Sequence, residues 1–94
     1  MNPLVYIILV NWNGKNDTLE CLSSLQKVTY TNFKVLVVDN ASGDGSVEAI
    51  RKEFSNIELI ANKQNLRFSG GNNVGIQYAL NNKAEYFLLL NNDT

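Results

Sequence analysis

The sequence predicts an α/β fold built on a mostly parallel sheet, and three observations carry that expectation. Four short apolar runs, Leu4 to Val10, Val35 to Val38, Ile57 to Ala61 and Tyr86 to Leu90, are rich in branched aliphatic and aromatic residues. Between them lie segments whose apolar positions recur at helical spacing. The last run, Tyr86-Phe87-Leu88-Leu89-Leu90, has no polar alternation, which is the habit of a parallel strand covered on both faces.

The elements follow in order. Leu4 to Val10 is the first strand, broken by Asn11-Trp12-Asn13-Gly14. A helix is expected from Asp17, capped by Asn16 or Asp17, with Leu19, Cys21, Leu22, Leu25 and Val28 at its apolar or small positions. Val35 to Val38 is the second strand and ends at Asp39. Ala41 to Ser46 is a turn cluster in which Asp44 or Ser42 can cap a second helix, where Val47, Ile50 and Phe54 share a face. Ile57 to Ala61 is a shorter third strand, and Asn62 to Ser69 has no period and reads as loop. A third helix is expected from about Gly71 to Asn82, with Val74, Ile76, Tyr78 and Ala79 partly buried, before the fourth strand, Tyr86 to Leu90.

Strands alternating with helical crossovers imply parallel pairing, and right-handed crossovers restrict the topology. The usual half-Rossmann winding gives strand order 3-2-1-4 with three helices. Its switch point falls between the first and fourth strands, which end at Asn11 and Asn91, and a ligand crevice is expected there. Asp93 follows the fourth strand at that edge, so the chain stops one residue after a candidate binding group. Residues 1–94 therefore read as the front half of a larger domain.

Composition narrows the function. With 45% hydrophobic and 18% charged residues the chain is globular, and a net charge of −1 gives no electrostatic case for nucleic acid or an anionic membrane. No apolar stretch is long enough to span a bilayer, and Met1-Asn2-Pro3 supplies none of the basic residues that precede a secretory core, so no leader is expected. A single cysteine, Cys21, cannot make an internal disulfide and fits a reducing compartment; in its helical pattern it reads as a small core residue. The absence of histidine removes Ser-His-Asp chemistry and His-rich zinc sites. Carboxylates, amides, hydroxyls and backbone are what is left.

Asp39 closes the second strand, where it can accept hydrogen bonds from a ribose or base, or simply order the turn. The segment Asn65-Leu66-Arg67-Phe68-Ser69-Gly70-Gly71-Asn72-Asn73 places paired glycines and paired asparagines where a helix must start. Such glycines let backbone approach a ligand or a neighbouring strand, with an N-cap by Ser69 as the simpler reading. It is not a P-loop, because no Gly-Lys-Ser/Thr follows. Arg67 is a candidate anion contact or an ordinary loop arginine. Asp93 and Asn91 offer hard oxygen donors for Mg²⁺ or Mn²⁺, which bound diphosphate would complete. Trp12 and Tyr6 read as packing groups. Three sequons, Asn16-Asp17-Thr18, Asn40-Ala41-Ser42 and Asn92-Asp93-Thr94, have no secretory leader beside them and are discounted.

Taken in order, Ile7-Ile8-Leu9-Val10-Asn11-Trp12-Asn13-Gly14, Val37 to Ser46, Asn65 to Asn73 and Leu89 to Thr94 resemble family 2 glycosyltransferases of the GT-A fold, especially the rhamnosyltransferase-like branch. The resemblance spans essentially the whole chain. It implies binding of a nucleotide-diphospho-sugar, UDP- or dTDP-linked. Asp39 would contact the base, while the segment around Asn11 and Asn13 would line the nucleoside. Asn65, Arg67, Gly71 and Asn72 would border base and ribose. Asn91-Asn92-Asp93 stands where the family has its DxD motif, with Asp93 as metal ligand and Asn91 in place of the first acid. Arg67 departs from the glycine usual at its position. The resemblance also implies an inverting, metal-dependent transfer to a glycan or lipid-linked acceptor. The catalytic base would lie in a C-terminal half, so this chain alone is expected to be inactive. A cytoplasmic location is expected, with the parent protein at the inner face of the cell membrane, together with a homodimer formed through the fourth strand.

Two other classes fit the residues less well. A dinucleotide-binding half would need Gly-x-Gly-x-x-Gly after the first strand, where only Gly14 is present. A signalling receiver would need acids after the first strand and an aspartate after the third, which ends at Ala61-Asn62.

Overall fold

The computed structural model describes residues 3–28 and 32–90. Its elements are β1 (Val5–Asn11), α1 (Lys15–Leu25), β2 (Phe33–Asp39), α2 (Ser46–Glu53), β3 (Glu58–Ala61), α3 (Arg67–Asn81) and β4 (Tyr86–Leu90). All strand pairs are parallel and the sheet order is β3-β2-β1-β4, as the alternating pattern implies.

The apolar runs of β1 and β2 are continuous because both faces of these central strands are covered. On one face Ile7, Leu9, Val35 and Val37 pack with Cys21 and Leu22 of α1 and Ile50 of α2. On the other, Tyr6, Ile8, Leu36 and Val38 pack with Ala79 of α3. Tyr6 is fully buried and meets Tyr78 edge-on, as its reading as a packing group requires. Burial, and then the nearby Glu58 carboxylate, push its hydroxyl pKa well up. No described helix is long and apolar enough to cross a membrane.

The strand ends shift by one or two residues, β2 most, since it begins at Phe33 and not Val35, and three helix boundaries differ by two residues or more. Helix α1 starts at Lys15 rather than Asp17, with Gly14 at its N-cap in place of Asn16 or Asp17, because the Lys15 N–H is satisfied by the distant Asp44 carboxylate at 3.1 Å. It ends at Leu25, and Val28 lies beyond it in a turn. Helix α3 starts at Arg67, four residues before Gly71, so Arg67 to Ser69 are helix and not loop, and Ser69 is not its N-cap. Its Gly-Gly-Asn-Asn opening is poor in intrinsic helix propensity, and tertiary packing overrides that. A Cβ at Gly75 would come within 2.6 Å of Ile8 Cγ2, and one at Gly71 within 2.8 Å of Val10 Cγ1. The glycines let α3 lie close on the sheet.

Strand β4 corrects a further expectation. Among the described residues it pairs only with β1, at the sheet edge, and Tyr86, Phe87, Leu88 and Leu89 are exposed, Leu88 by 52%. The strand is therefore not buried on both faces. An apolar run shows that a strand needs cover, and among the described residues little covers this one.

Candidate functional site at the strand carboxyl ends

The carboxyl ends of β1, β2 and β3 are stitched together by side chains that each strand delivers at its last residue or just beyond. Asn11, wholly buried, ends β1 in register with Asp39, which ends β2. The Asn11 amide donates to Asp39 Oδ1 at 2.7 Å and to Ser42 Oγ at 3.2 Å, while its carbonyl accepts from Thr18 Oγ1 at 2.8 Å. Asp39 also accepts from the Ser42 hydroxyl at 2.8 Å and the Ser42 N–H at 2.9 Å. A carboxylate is an acceptor only, so three donors hold its orientation and leave about one of its four lone-pair positions.

The two loops above these strands are tied to each other. Asn13, with a left-handed φ of 51°, donates its N–H to Ser42 Oγ at 2.9 Å and accepts the Gly43 N–H at 2.8 Å. Asp44 serves both helix starts: one oxygen takes the Lys15 N–H, the other the Ser46 N–H at 3.0 Å and the Ser46 hydroxyl. The Ser46 hydroxyl is the main cause of its lowered pKa, with the backbone N–H groups adding to it. Of the two residues expected to cap α2, Asp44 does so from beside the N-cap Gly45, while Ser42 is turned to Asp39.

The third loop joins through amides. Asn40, 1% exposed, accepts from Asn62 Nδ2 and donates to the Arg67 carbonyl, both at 2.9 Å. Asn65 is exposed and accepts the Arg67 N–H at 2.7 Å. Arg67 is exposed too, with a left-handed φ of 63°. Gly71 and Asn72 are buried, and the space beside Gly71 is filled by Val10 and Asn40. Its close approach is thus to the sheet.

The structure therefore brings Asn11, Asn13 and Asp39 into one network and Arg67 and Asn65 into a second joined to it at Asn40, while Gly71 packs against Asn40 and Asn72 is buried in α3 outside both. Asn11 and Asp39 brace the loops from beneath. Trp12 is not a packing group: 56% exposed at the end of β1, it offers a flat aromatic surface at this edge. Asn40, Asn62 and Thr18 were not singled out from sequence as site residues; a polar residue just after a buried strand is the signal that could have found Asn40. Asn91 and Asp93 lie outside the described residues. Among the described ones no group of three His, Cys, Asp or Glu side chains could hold a metal, and Asp39 and Asp44 are already engaged by N–H and O–H donors.

The sequence profile of the family described as "Glycosyl transferase family 2" matches residues 6–94. An uncharacterized glycosyltransferase of Rickettsia bellii is 36% identical over 97% of this chain and 13% of its own length. A UDP-Glc:α-D-GlcNAc-diphosphoundecaprenol β-1,3-glucosyltransferase of Escherichia coli is 31% identical over 81% of this chain and 30% of its own. A mannosyltransferase of Pyrobaculum calidifontis, solved with GDP-Man and Mn²⁺, superposes with a TM-score of 0.86 at 22% identity, over 99% of this chain and 28% of that one. The chain thus spans under a third of the length of these relatives.

Proposed function

Because this chain belongs to glycosyl transferase family 2, we propose that it forms the donor-binding part of an inverting, metal-dependent glycosyltransferase. One observation carries the reading: Asp39, held by Asn11 and Ser42 at the carboxyl end of β2, beside the exposed Trp12 at the end of β1. Open α/β sheets take their ligands at this edge. Asp39 is 1% exposed with three acceptor positions filled, so a base or ribose donor would have to reach the one position left. Trp12 supplies a face for the base to stack on, and Arg67 supplies charge for the diphosphate.

In the reaction an acceptor hydroxyl attacks the anomeric carbon, and the bond to the diphosphate breaks with inversion. A general base in the part of the protein beyond these residues takes the hydroxyl proton. Asn91 and Asp93 would hold Mg²⁺ or Mn²⁺ through hard oxygen atoms. When bound, that ion neutralises the departing diphosphate. The E. coli relative's donor makes uridine the first nucleotide to test, with thymidine beside it, and the mannosyltransferase's GDP-Man makes guanosine the comparison. The acceptor is proposed to be a glycan or lipid-linked sugar, reached from the cytoplasmic face of the cell membrane. The family match does not single out the rhamnosyltransferase-like branch.

Calorimetric titration with UDP, dTDP, GDP and NADH, each with and without Mn²⁺, tests the reading. UDP or dTDP should bind, more tightly with metal. Asp39→Asn should weaken binding in both conditions, and Asp93→Ala should remove only the metal-dependent part. Binding of NADH with no response to any nucleoside diphosphate would overturn it. The 94-residue chain should transfer no sugar, and turnover above a vector-only control would contradict that.

A further inference from the structure

Asn40 is buried at the junction of three segments and is accounted for by none of the roles above. Its backbone N–H donates to the Asn11 carbonyl at 2.8 Å, tying it to the end of β1. Its side-chain carbonyl accepts from Asn62, just past β3, and its amide donates to the Arg67 carbonyl, both at 2.9 Å. A Cβ at Gly71 would lie 3.0 Å from the Asn40 amide nitrogen, so the side chain also fills the space against the first turns of α3.

What this side chain holds is unusual. Arg67 has a φ of 63°, a conformation costly for a residue with a Cβ and kept only where the surroundings impose it. Both of its peptide groups are held by side chains: the N–H by Asn65 at 2.7 Å, the carbonyl by Asn40. Asn65 is exposed, whereas Asn40 is buried and anchored to the sheet through Asn11 and Asn62. The clamp therefore transmits the positions of the strand ends to Arg67.

We propose that Asn40 is a positioning residue of the donor site: it pins Arg67 in the left-handed conformation and so sets where this arginine and the start of α3 meet the nucleotide, without touching the ligand itself. The inference rests on the donor-binding reading, and the test separates the two. In ligand-free protein, Asn40→Ala should speed hydrogen exchange at the amides of residues 67–71 by about tenfold, the scale of one lost buried hydrogen bond. With UDP and Mn²⁺, Asn40→Ala should bind about tenfold more weakly than the parent chain. Arg67→Gly and the double variant Asn40→Ala/Arg67→Gly should bind alike, because glycine has no strained conformation to be held and no guanidinium to be placed. If the double variant loses a further tenfold, Asn40 acts on the ligand independently of Arg67 and the proposal fails. Should Asn40→Ala not fold, Asn65→Ala, at an exposed residue, enters the same cycle from the other side of the clamp with the same expected non-additivity. If the parent chain binds no nucleoside diphosphate, the donor-binding reading falls. The exchange measurement still decides the clamp, and unchanged rates at residues 67–71 would overturn it.

Discussion

Replacing Gly75 by alanine tests the seat of α3 on the sheet, and with it the placement of the Arg67 turn. The new Cβ would sit 2.6 Å from Ile8 Cγ2 and 3.3 Å from Val38 Cγ2, both on wholly buried side chains. Carbon atoms rest at about 3.5–4.0 Å, so helix and strand must part by roughly 1 Å. Ile8 Cγ2 is attached directly to a branched Cβ and cannot swing aside as the tip of a long chain would. Overpacking of this kind costs about 1–3 kcal/mol, while alanine for glycine inside a helix returns about 1 kcal/mol. The balance is a loss of about 1 kcal/mol, or roughly 4–8 °C in melting temperature for a domain near this size. Gly43→Ala is the control: nothing lies within 4 Å of its Cβ, and a change within about 0.5 kcal/mol is expected there. Thermal unfolding followed by circular dichroism reads both. A Gly75→Ala variant melting at or above the parent chain would show that α3 is not seated as described.

Other consequences follow from burial, charge and exposure. Burial raises the Cys21 thiol pKa, so native protein should react with a thiol reagent at neutral pH only at the rate of unfolding, and prompt modification of folded protein would contradict the core placement. The Asp44 pKa is lowered in the fold, so its contribution is present above the unfolded carboxylate value of about 3.9 and fades as pH falls through the lower folded value. The stability gap between the parent chain and Asp44→Asn should therefore be full at neutral pH and close in acid, and a gap independent of pH would refute the capping role. The exposed run Tyr86 to Leu89 on an edge strand is a template for pairing between copies. Light scattering at micromolar concentration should show a dimer or larger species that Leu89→Lys shifts toward monomer, and a clean monomer of the parent chain would defeat this.

The fold was legible because its signals are local. Apolar runs at β1, β2 and β4, helical spacing between them and the hand of the crossovers suffice for the order β3-β2-β1-β4. The site was legible where a polar residue ends a buried strand, as at Asp39. What escaped is set by long-range bonds. At the start of α1 the Lys15 N–H is held by Asp44, 29 residues away, and at the start of α3 the Arg67 carbonyl is held by Asn40, 27 residues away. Sequence spacing within a helix carries no trace of either. The glycines leave approach to a ligand or to a neighbouring strand both open, and the structure takes the second: Gly71 and Gly75 make room for Val10, Asn40 and Ile8. In β4 the same apolar run that marks a strand says nothing about whether its cover lies within these residues.

The central claim is that a nucleoside diphosphate sits on the carboxyl edge of the sheet, and amide-resolved NMR of the chain titrated with UDP and Mn²⁺ tests it most directly. Mn²⁺ is paramagnetic, so Mg²⁺ serves for the shift measurement and Mn²⁺ for line broadening near the metal. Shifts should gather at Trp12 and Asn13, at Asn40 to Gly43 and at Arg67 to Gly71, two loops and the first turn of α3 that the structure joins. Leu25, Phe33, Asn56 and Glu58, around the opposite end of the sheet, should stay still. Perturbation centred on that opposite end, or none anywhere at saturating nucleotide, would contradict the account.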